Sequence, residues 1–314
     1  MKRFLFICLL ICAAVSVFAS GKKAVKADGK PAVVTTIFPA YDFAREIAGD
    51  NVNLTMLLPP GAESHSFEPS PRDIITIQNS DIFIYVGGES DAWVDRILDS
   101  MDTNMITIRL MDAVDVVEEE IVEGMQEEEE DGGEEEAETE YDEHVWTSPR
   151  NAELIVRKIA DTLESLDAAN AAEYEKNTVA YIEKLRKLDG EFKDLVDGAK
   201  RKTIVFGDRF PFRYFADAYG LDYYAAFPGC STETDCSPAT IAFLIDKVRD
   251  EKIPVVFHIE LSNENIADAI AEETGAKKSL LHAVHNITKR DFDSGTGYYD
   301  LMTQNLVYLR NALY

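Results

Sequence analysis

The most restrictive feature of this sequence is an alternation of short, continuously apolar runs with amphipathic segments, which occurs twice along the chain. The first series of predicted strands is 33–38, 52–58, 82–87 and 105–111, and the second is 203–207, 221–227, 254–260 and 280–285. Strands that are apolar throughout and alternate with helices are typical of parallel sheets covered on both faces. The sequence therefore predicts an α/β fold with two (β/α) lobes and mainly parallel sheets.

The two series are separated by a predicted helical connection. An amphipathic helix over 150–166 precedes a longer one over 167–199, with Asp167 as its N-cap. At 1.5 Å per residue the longer helix would span about 45–50 Å, more than one small domain needs. We therefore predict a rigid linker helix, 167–199, between an N-terminal lobe, 20–166, and a C-terminal lobe, 200–314.

The first nineteen residues have the pattern of a secretory signal peptide. Two basic residues precede an uncharged run, and Val17-Phe18-Ala19 forms a small-x-small cleavage site. The run is too short to span a membrane comfortably, so we expect an exported, soluble protein in the periplasm or at the cell surface. Lipid attachment at Cys12 is the alternative, although Ile11 before it is bulkier than usual there.

The negative charge of the chain excludes nucleic acid as a partner, and it is concentrated in one segment. The formal net charge is -27, which repels phosphate backbones and excludes nucleic-acid binding. Residues 118–143 are rich in Asp and Glu and contain no Lys or Arg. Because like charges repel, this segment is predicted to be a solvated, mobile loop. It is either a solubilising insertion or a flap that collects cations, since it ends directly at His144.

The mature chain keeps two cysteines, Cys230 and Cys236, in a loop rich in Gly, Pro, Ser and Thr. In an exported protein such a pair predicts a disulfide that closes a small loop. A thiolate metal site is the alternative, but the pair lacks the C-x-x-C spacing typical of zinc sites.

Polar side chains follow the predicted strand ends in both lobes. They are His65, His144, Asp208, Glu260 and His285. Ligands of open parallel sheets bind beyond the carboxyl ends of the strands, and a divalent cation needs such imidazoles and carboxylates. We therefore predict a metal site in the cleft between the lobes. His258 and His282 lie within predicted strands and are expected to be buried or face-lining, with His282 and His285 on opposite faces.

Five segments resemble the metal-binding substrate-binding proteins of zinc and manganese ABC transporters. They are PPGAESHSFEPSPRD, DEHVWTSP, FRYFADAYGL, VFHIELSNENIADAIAEETGAK and GTGYYDLMTQNLVYLRNAL, and the match covers nearly all of 31–314 in order. The resemblance implies a bilobal fold with a rigid linking helix. It also implies a receptor, not an enzyme, that delivers a divalent metal ion to an ABC permease in the inner membrane. We further expect a monomer.

The resemblance implies metal ligands at His65, His144 and His285. The family's remaining ligand position falls on Arg209, which stays protonated and has no acceptor, so it cannot bind a cation. We expect Arg209 to turn aside and pair with a carboxylate while water or a nearby acid completes the shell. The candidate acids are Asp208, Glu233, Asp235 and Glu260. The alternative is a degenerate site that binds metal weakly.

Three nitrogen donors favour Zn²⁺, with Mn²⁺ or Fe²⁺ as the alternative cargo. Two other functions stay open. A metal-dependent hydrolase would use Asp208 or Glu260 as its general base, and an adhesin would use the acidic segment. The sequence contains no G-x-S-x-G, Walker A or H-E-x-x-H motif to support catalysis.

Overall fold

The computed structural model describes residues 29–64, 67–101, 104–125, 140–231 and 236–314. The predicted signal peptide, 1–19, lies outside these residues. Eight strands are described: β1 (Ala32–Thr35), β2 (Asn53–Met56), β3 (Ile82–Tyr85), β4 (Ile106–Arg109), β5 (Thr203–Arg209), β6 (Asp222–Phe227), β7 (Val255–His258) and β8 (Lys277–Leu280). They form two sheets, ordered β2-β1-β3-β4 and β6-β5-β7-β8, and every pairing is parallel. The predicted fold class is confirmed.

Helices cover both sheets and connect their strands. They are α1 (Phe38–Ala48), α2 (Pro71–Gln78), α3 (Ala92–Ser100), α4 (Pro149–Leu166), α5 (Ala171–Asp197), α6 (Arg213–Tyr219), α7 (Pro238–Glu251), α8 (Asn265–Thr274), α9 (Lys289–Asp293) and α10 (Tyr298–Leu313). Capping residues determine where several helices begin. Ser70 and Ser237 each cap a helix whose first residue is proline, which needs no N–H partner there. Within the described part of the chain, no helix is both long and apolar enough to cross a membrane.

The long helix α5 has 27 residues and is about 40 Å long. It begins at Ala171, so Asp167 is not its N-cap. The Asp167 carboxylate instead accepts hydrogen bonds from Asn170 Nδ2 (2.7 Å) and the Tyr174 hydroxyl (2.8 Å), which holds the turn between α4 and α5. The buried face of α5 packs on α1 and α4 of the first lobe and on α10 of the second. One hydrophobic core therefore runs through both lobes.

A second contact joins the lobes at the start of α10. The Asp42 carboxylate in α1 accepts a hydrogen bond from Tyr298 N (2.7 Å) and pairs with Arg45 (2.5 Å). The rings of Phe43 and Tyr298 pack edge to face, 4.9 Å apart. Burial of Asp42 raises the pKa of its carboxyl to about 6, although Arg45 opposes the shift. This α1–α10 contact fixes the second lobe on the first.

The last predicted strand was placed wrongly. Strand β8 ends at Leu280, and residues 281–285 form a buried loop. The Asn305 side chain of α10 makes the backbone hydrogen bonds that a neighbouring strand would otherwise make in this loop. Its Oδ1 accepts from His282 N (2.9 Å) and its Nδ2 donates to His282 O (2.8 Å). Val284 in this loop has a left-handed backbone with φ of 64°. The alternation that predicted opposite faces for His282 and His285 therefore does not apply.

The acidic segment is also not solvated throughout. Glu118 and Tyr141 form an antiparallel bridge that holds its two ends together. Glu119 Oε1 accepts a hydrogen bond from Cys230 N (2.9 Å), and Glu120 accepts one from the Tyr223 hydroxyl (3.0 Å). The prediction is wrong for Glu119, Asp142 and Glu143, which are partly or fully buried, whereas Glu118, Glu120, Glu123 and Glu140 are exposed as predicted. The stretch 126–139 lies outside the described residues.

Candidate metal centre

Two imidazoles meet in the cleft, one from each lobe. His144 precedes the short turn Val145–Thr147 that leads into α4, and His285 ends the loop after β8. Their ring centroids are 4.7 Å apart and the ring planes are nearly perpendicular. Trp146 packs edge-on against both, at 5.5 and 5.3 Å. With Zn–N bonds of about 2.0–2.1 Å, rings this close can share one ion.

The His144 ring is oriented by Asp142. Asp142 Oδ1 accepts a hydrogen bond from His144 N (2.7 Å) and lies 3.0 Å from His144 Nδ1. Burial alone would lower the pKa of His144, but the charges of Asp142, Glu143 and Glu119 outweigh it and raise that pKa. A carboxylate at Nδ1 makes Nε2 the nitrogen for a metal and increases its basicity.

Glu260 supports His285 in the same way from the second lobe. Its Oε1 accepts a hydrogen bond from His285 N (2.8 Å) and lies 3.5 Å from His285 Nδ1. Its Oε2 accepts from Ala283 N (2.7 Å) and lies 3.4 Å from His282 Nδ1. Burial opposes ionisation of Glu260, but His282 and His285 lower its pKa to about 2. Burial lowers the pKa of His285 itself.

As expected from the sequence, Arg209 pairs with a carboxylate, but it does not turn away from the site, because it lines the same cavity as His285. Its Nη1 donates to Ser231 O (3.1 Å) and lies 3.4 Å from Glu63 Oε1, so the carboxylate partner is Glu63. The neighbouring Asp208 bonds to the backbone instead, since its oxygens accept from Arg209 N (2.8 Å) and Ile259 N (3.1 Å). These bonds tie the end of β5 to the residue after β7.

Three predicted residues, His65, Glu233 and Asp235, lie outside the described residues. Across the described ranges, no three His, Cys, Asp or Glu side chains gather into a cluster that could hold a metal. The structure thus assembles part of the predicted ligand set, His144 and His285. It places Ser64, next to the gap at 65–66, in the lining of both cavities that touch His285.

Those two cavities are small. One, of about 30 Å³, is lined by His144, His285 and Trp146, among others, and contains Glu143 at its edge. The other, of about 20 Å³, lies between Arg209 and His285. Each has room for an ion or one or two waters and not for an organic solute, whose pockets are about 300 Å³ or larger.

Sequence reasoning missed several residues that support the site. Asp142 stands two positions before His144, and that spacing was its only signal. Trp146 Nε1 donates to Ala283 O (2.8 Å), so the indole links the two histidine-bearing segments. Gly229 was not detectable from the sequence. A Cβ there would lie 3.1 Å from the His144 ring and 2.9 Å from Phe210 O, so only glycine lets this loop cover the imidazole.

In the structure Cys230 and Cys236 are not bonded to each other. Burial and the nearby carboxylates of Asp142, Glu143 and Glu119 raise the pKa of the Cys230 thiol well above its ordinary value. A thiol that resists ionisation is slow to attack a disulfide and is a poor metal ligand. Residues 232–235 between the two cysteines lie outside the described residues, and the pairing stays a prediction.

Comparisons with known proteins show the family to which the chain belongs. Residues 33–312 match the family described as ZnuA, zinc-uptake complex component A, periplasmic. The chain is 34% identical over 314 residues to the zinc-binding lipoprotein AdcA of Streptococcus pneumoniae strain R6, covering 99% of this chain but only 61% of that relative. It is 33% identical to the high-affinity zinc uptake system protein ZnuA of Bacillus subtilis strain 168, covering 98% of this chain and 95% of that protein.

A solved structure also matches. The Zn(II)-bound ZnuA-like domain of Streptococcus pneumoniae AdcA superposes with a TM-score of 0.74 at 31% identity. The match covers 91% of this chain and 99% of that domain.

Proposed function

We propose that this chain, which belongs to the ZnuA family of periplasmic zinc-uptake components, captures Zn²⁺ between its lobes and delivers it to an ABC permease. The observation that carries the proposal is the pairing of His144 and His285. They come from different lobes, their rings lie 4.7 Å apart, and each has a carboxylate at Nδ1. Carboxylate-supported imidazoles of this kind are typical of zinc sites.

The donor set favours Zn²⁺ over Mn²⁺ or Fe²⁺. Manganese prefers carboxylate and water oxygens. The buried carboxylates nearest the imidazoles, Asp142 and Glu260, accept backbone hydrogen bonds and face Nδ1 atoms. We propose the imidazole nitrogens of His144 and His285 as metal donors, with His65 as the third.

The same geometry supports a receptor and not an enzyme. The cavities beside the imidazoles hold about 30 and 20 Å³, too little for an ester or a peptide. Asp208, a candidate general base, has both oxygens bonded to backbone N–H groups. We therefore propose an exported, monomeric carrier, in the periplasm or tethered by lipid at the cell surface, whose partner is a permease in the membrane.

Metal analysis of the chain without its signal peptide, residues 20–314, purified without chelator, tests the proposal. We expect one zinc per chain in the wild type and none in the triple variant His65→Ala/His144→Ala/His285→Ala. His258→Ala is the matched control, because His258 bonds to Ile259 O (3.0 Å) and should leave zinc binding intact. Zinc retained by the triple variant, or absent from the wild type, would contradict the proposed site.

A further inference from the structure

Arg209 stands where the family resemblance places a metal ligand, and the structure leaves most of its donors unused. Its side chain is only 11% exposed. A guanidinium carries five N–H donors. Nη1 meets Ser231 O and Glu63 Oε1, whereas Nε and Nη2 donate to no residue in the described part of the chain. Neither atom is fully buried, so an acceptor that enters the neighbouring cavity can reach both.

The spare donors belong to a side chain that lines the 20 Å³ cavity, and His285 lines the same cavity. Two described side chains of its lining have oxygens that already accept hydrogen bonds. Glu260 accepts from Ala283 N and His285 N, and the Asn286 Oδ1 accepts from Ile287 N (2.8 Å). Neither group is therefore set to complete the coordination of an ion bound at His285.

The charges around this cavity depend on the metal. Without metal, the described residues of the lining contribute one guanidinium, Arg209, and two carboxylates, Glu63 and Glu260, a formal charge of −1. A divalent ion at His285 changes that sum to +1. The cavity should then repel an anion when empty and attract one when the metal is present.

We propose that a small monovalent anion of about the size of a water molecule, a halide, binds at Arg209 together with the metal and completes its coordination shell. The anion bonds to the metal on one side and accepts hydrogen bonds from Nε and Nη2 of Arg209 on the other. Charge-assisted bonds to a guanidinium are strong and directional. This inference rests on the proposed metal-receptor function, and it makes anion and metal binding mutually dependent.

The test uses Co²⁺ as an optical probe of the coordination shell in the metal-free chain. The protein is kept in a buffer with a non-coordinating counter-anion, and fluoride, chloride or bromide is added at constant ionic strength. Zinc affinity is measured in parallel by competition with a chromophoric chelator. We expect a saturable change of the Co²⁺ spectrum with at least one anion, and a zinc affinity about tenfold or more higher in its presence.

Two variants make the assignment specific. Arg209→Leu should bind Co²⁺ without any response to anions. Arg249→Leu removes a surface charge of the same lobe, 48% exposed and paired with Glu273, and should respond like the wild type. Because the wild-type titration needs no variant, a folding defect in Arg209→Leu would not prevent a decision.

Several outcomes overturn the inference. A wild-type Co²⁺ spectrum that is identical with and without all three anions excludes the anion, as does a response that survives in Arg209→Leu. Loss of metal binding in Glu63→Gln, together with a wild type that ignores anions, would make Glu63 the missing ligand. Metal bound without an anion effect refutes this inference alone, whereas no metal bound under any condition refutes the receptor function as well.

Discussion

Glu260 is the buried charge on which the second half of the site depends, and Glu260→Gln tests that dependence. The carboxylate accepts from Ala283 N and His285 N and faces the Nδ1 atoms of His282 and His285. An amide keeps one acceptor oxygen but turns an NH₂ group toward a backbone N–H. The variant therefore loses at least one charge-assisted hydrogen bond, worth about 1.5–3 kcal/mol.

The pKa of Glu260 points in the same direction. Its value in the folded chain is about 2, against 4.5 ordinarily, so the folded chain favours the ionised carboxylate. Because the folded pKa is depressed, the contribution of this carboxylate to stability is complete above pH 4.5 and is lost as the pH falls toward 2.

The assay is urea unfolding of the metal-free chain, with zinc affinity measured by chelator competition. We expect Glu260→Gln to lower the free energy of unfolding by about 2–3 kcal/mol at pH 7, and by less at pH 3. Zinc affinity should fall about 10–100-fold, as when other carboxylates behind metal-binding histidines are removed.

Glu264→Gln is the matched control. Glu264 is 40% exposed and pairs with Lys278 at the surface, so its loss should change stability by less than about 1 kcal/mol and leave zinc affinity unchanged. If Glu260→Gln unfolded and bound zinc like the wild type, Glu260 would not be orienting the His285 loop.

Three further results are expected. Gly229→Ala should weaken zinc binding with little change in the circular dichroism spectrum, because its Cβ would press on the His144 ring at 3.1 Å; unchanged affinity would show that the loop yields. Zinc affinity should fall between pH 7.5 and pH 5, since the raised pKa of His144 lets protons compete with the metal; a constant affinity would exclude imidazole ligands. Asp42, with a folded pKa of about 6 against 3.8, favours stability below pH 3.8 and loses that contribution as the pH rises through 6. Urea unfolding at pH 5 and pH 7 should therefore show a steeper loss in the wild type than in Asp42→Asn, and parallel curves would refute the shift.

The parts of this protein that could be predicted are those set by local pattern. Continuous apolar runs identified seven of the eight described strands, and the expectation that strand ends of the two lobes face one another across a cleft brought His144 and His285 together. The run at 281–285 could not be assigned correctly, because a buried loop and a buried strand have the same apolar composition. Its decisive partner, Asn305, lies in a different element, α10.

The behaviour of the acidic segment could not be predicted from local sequence either. Repulsion among the carboxylates of 118–143 was a sound argument for that segment alone. It could not include the donors that the second lobe supplies to Glu119 and Glu120. The roles of Asp142, Glu260 and Gly229 likewise depend on contacts across the cleft, which a single sequence does not show.

The continuous core around α5 has a consequence for the handover of the ion. Since α5, α1 and α10 pack in one hydrophobic core, a wide rotation of the lobes would expose buried apolar surface to water. A loaded and an empty carrier must then differ mainly in the loops that border the cleft, such as those containing Glu63 and Leu261. Under the proposed function, a permease would recognise the metal-loaded protein by contacts with those loops. Leu261 is exposed there and has a left-handed backbone.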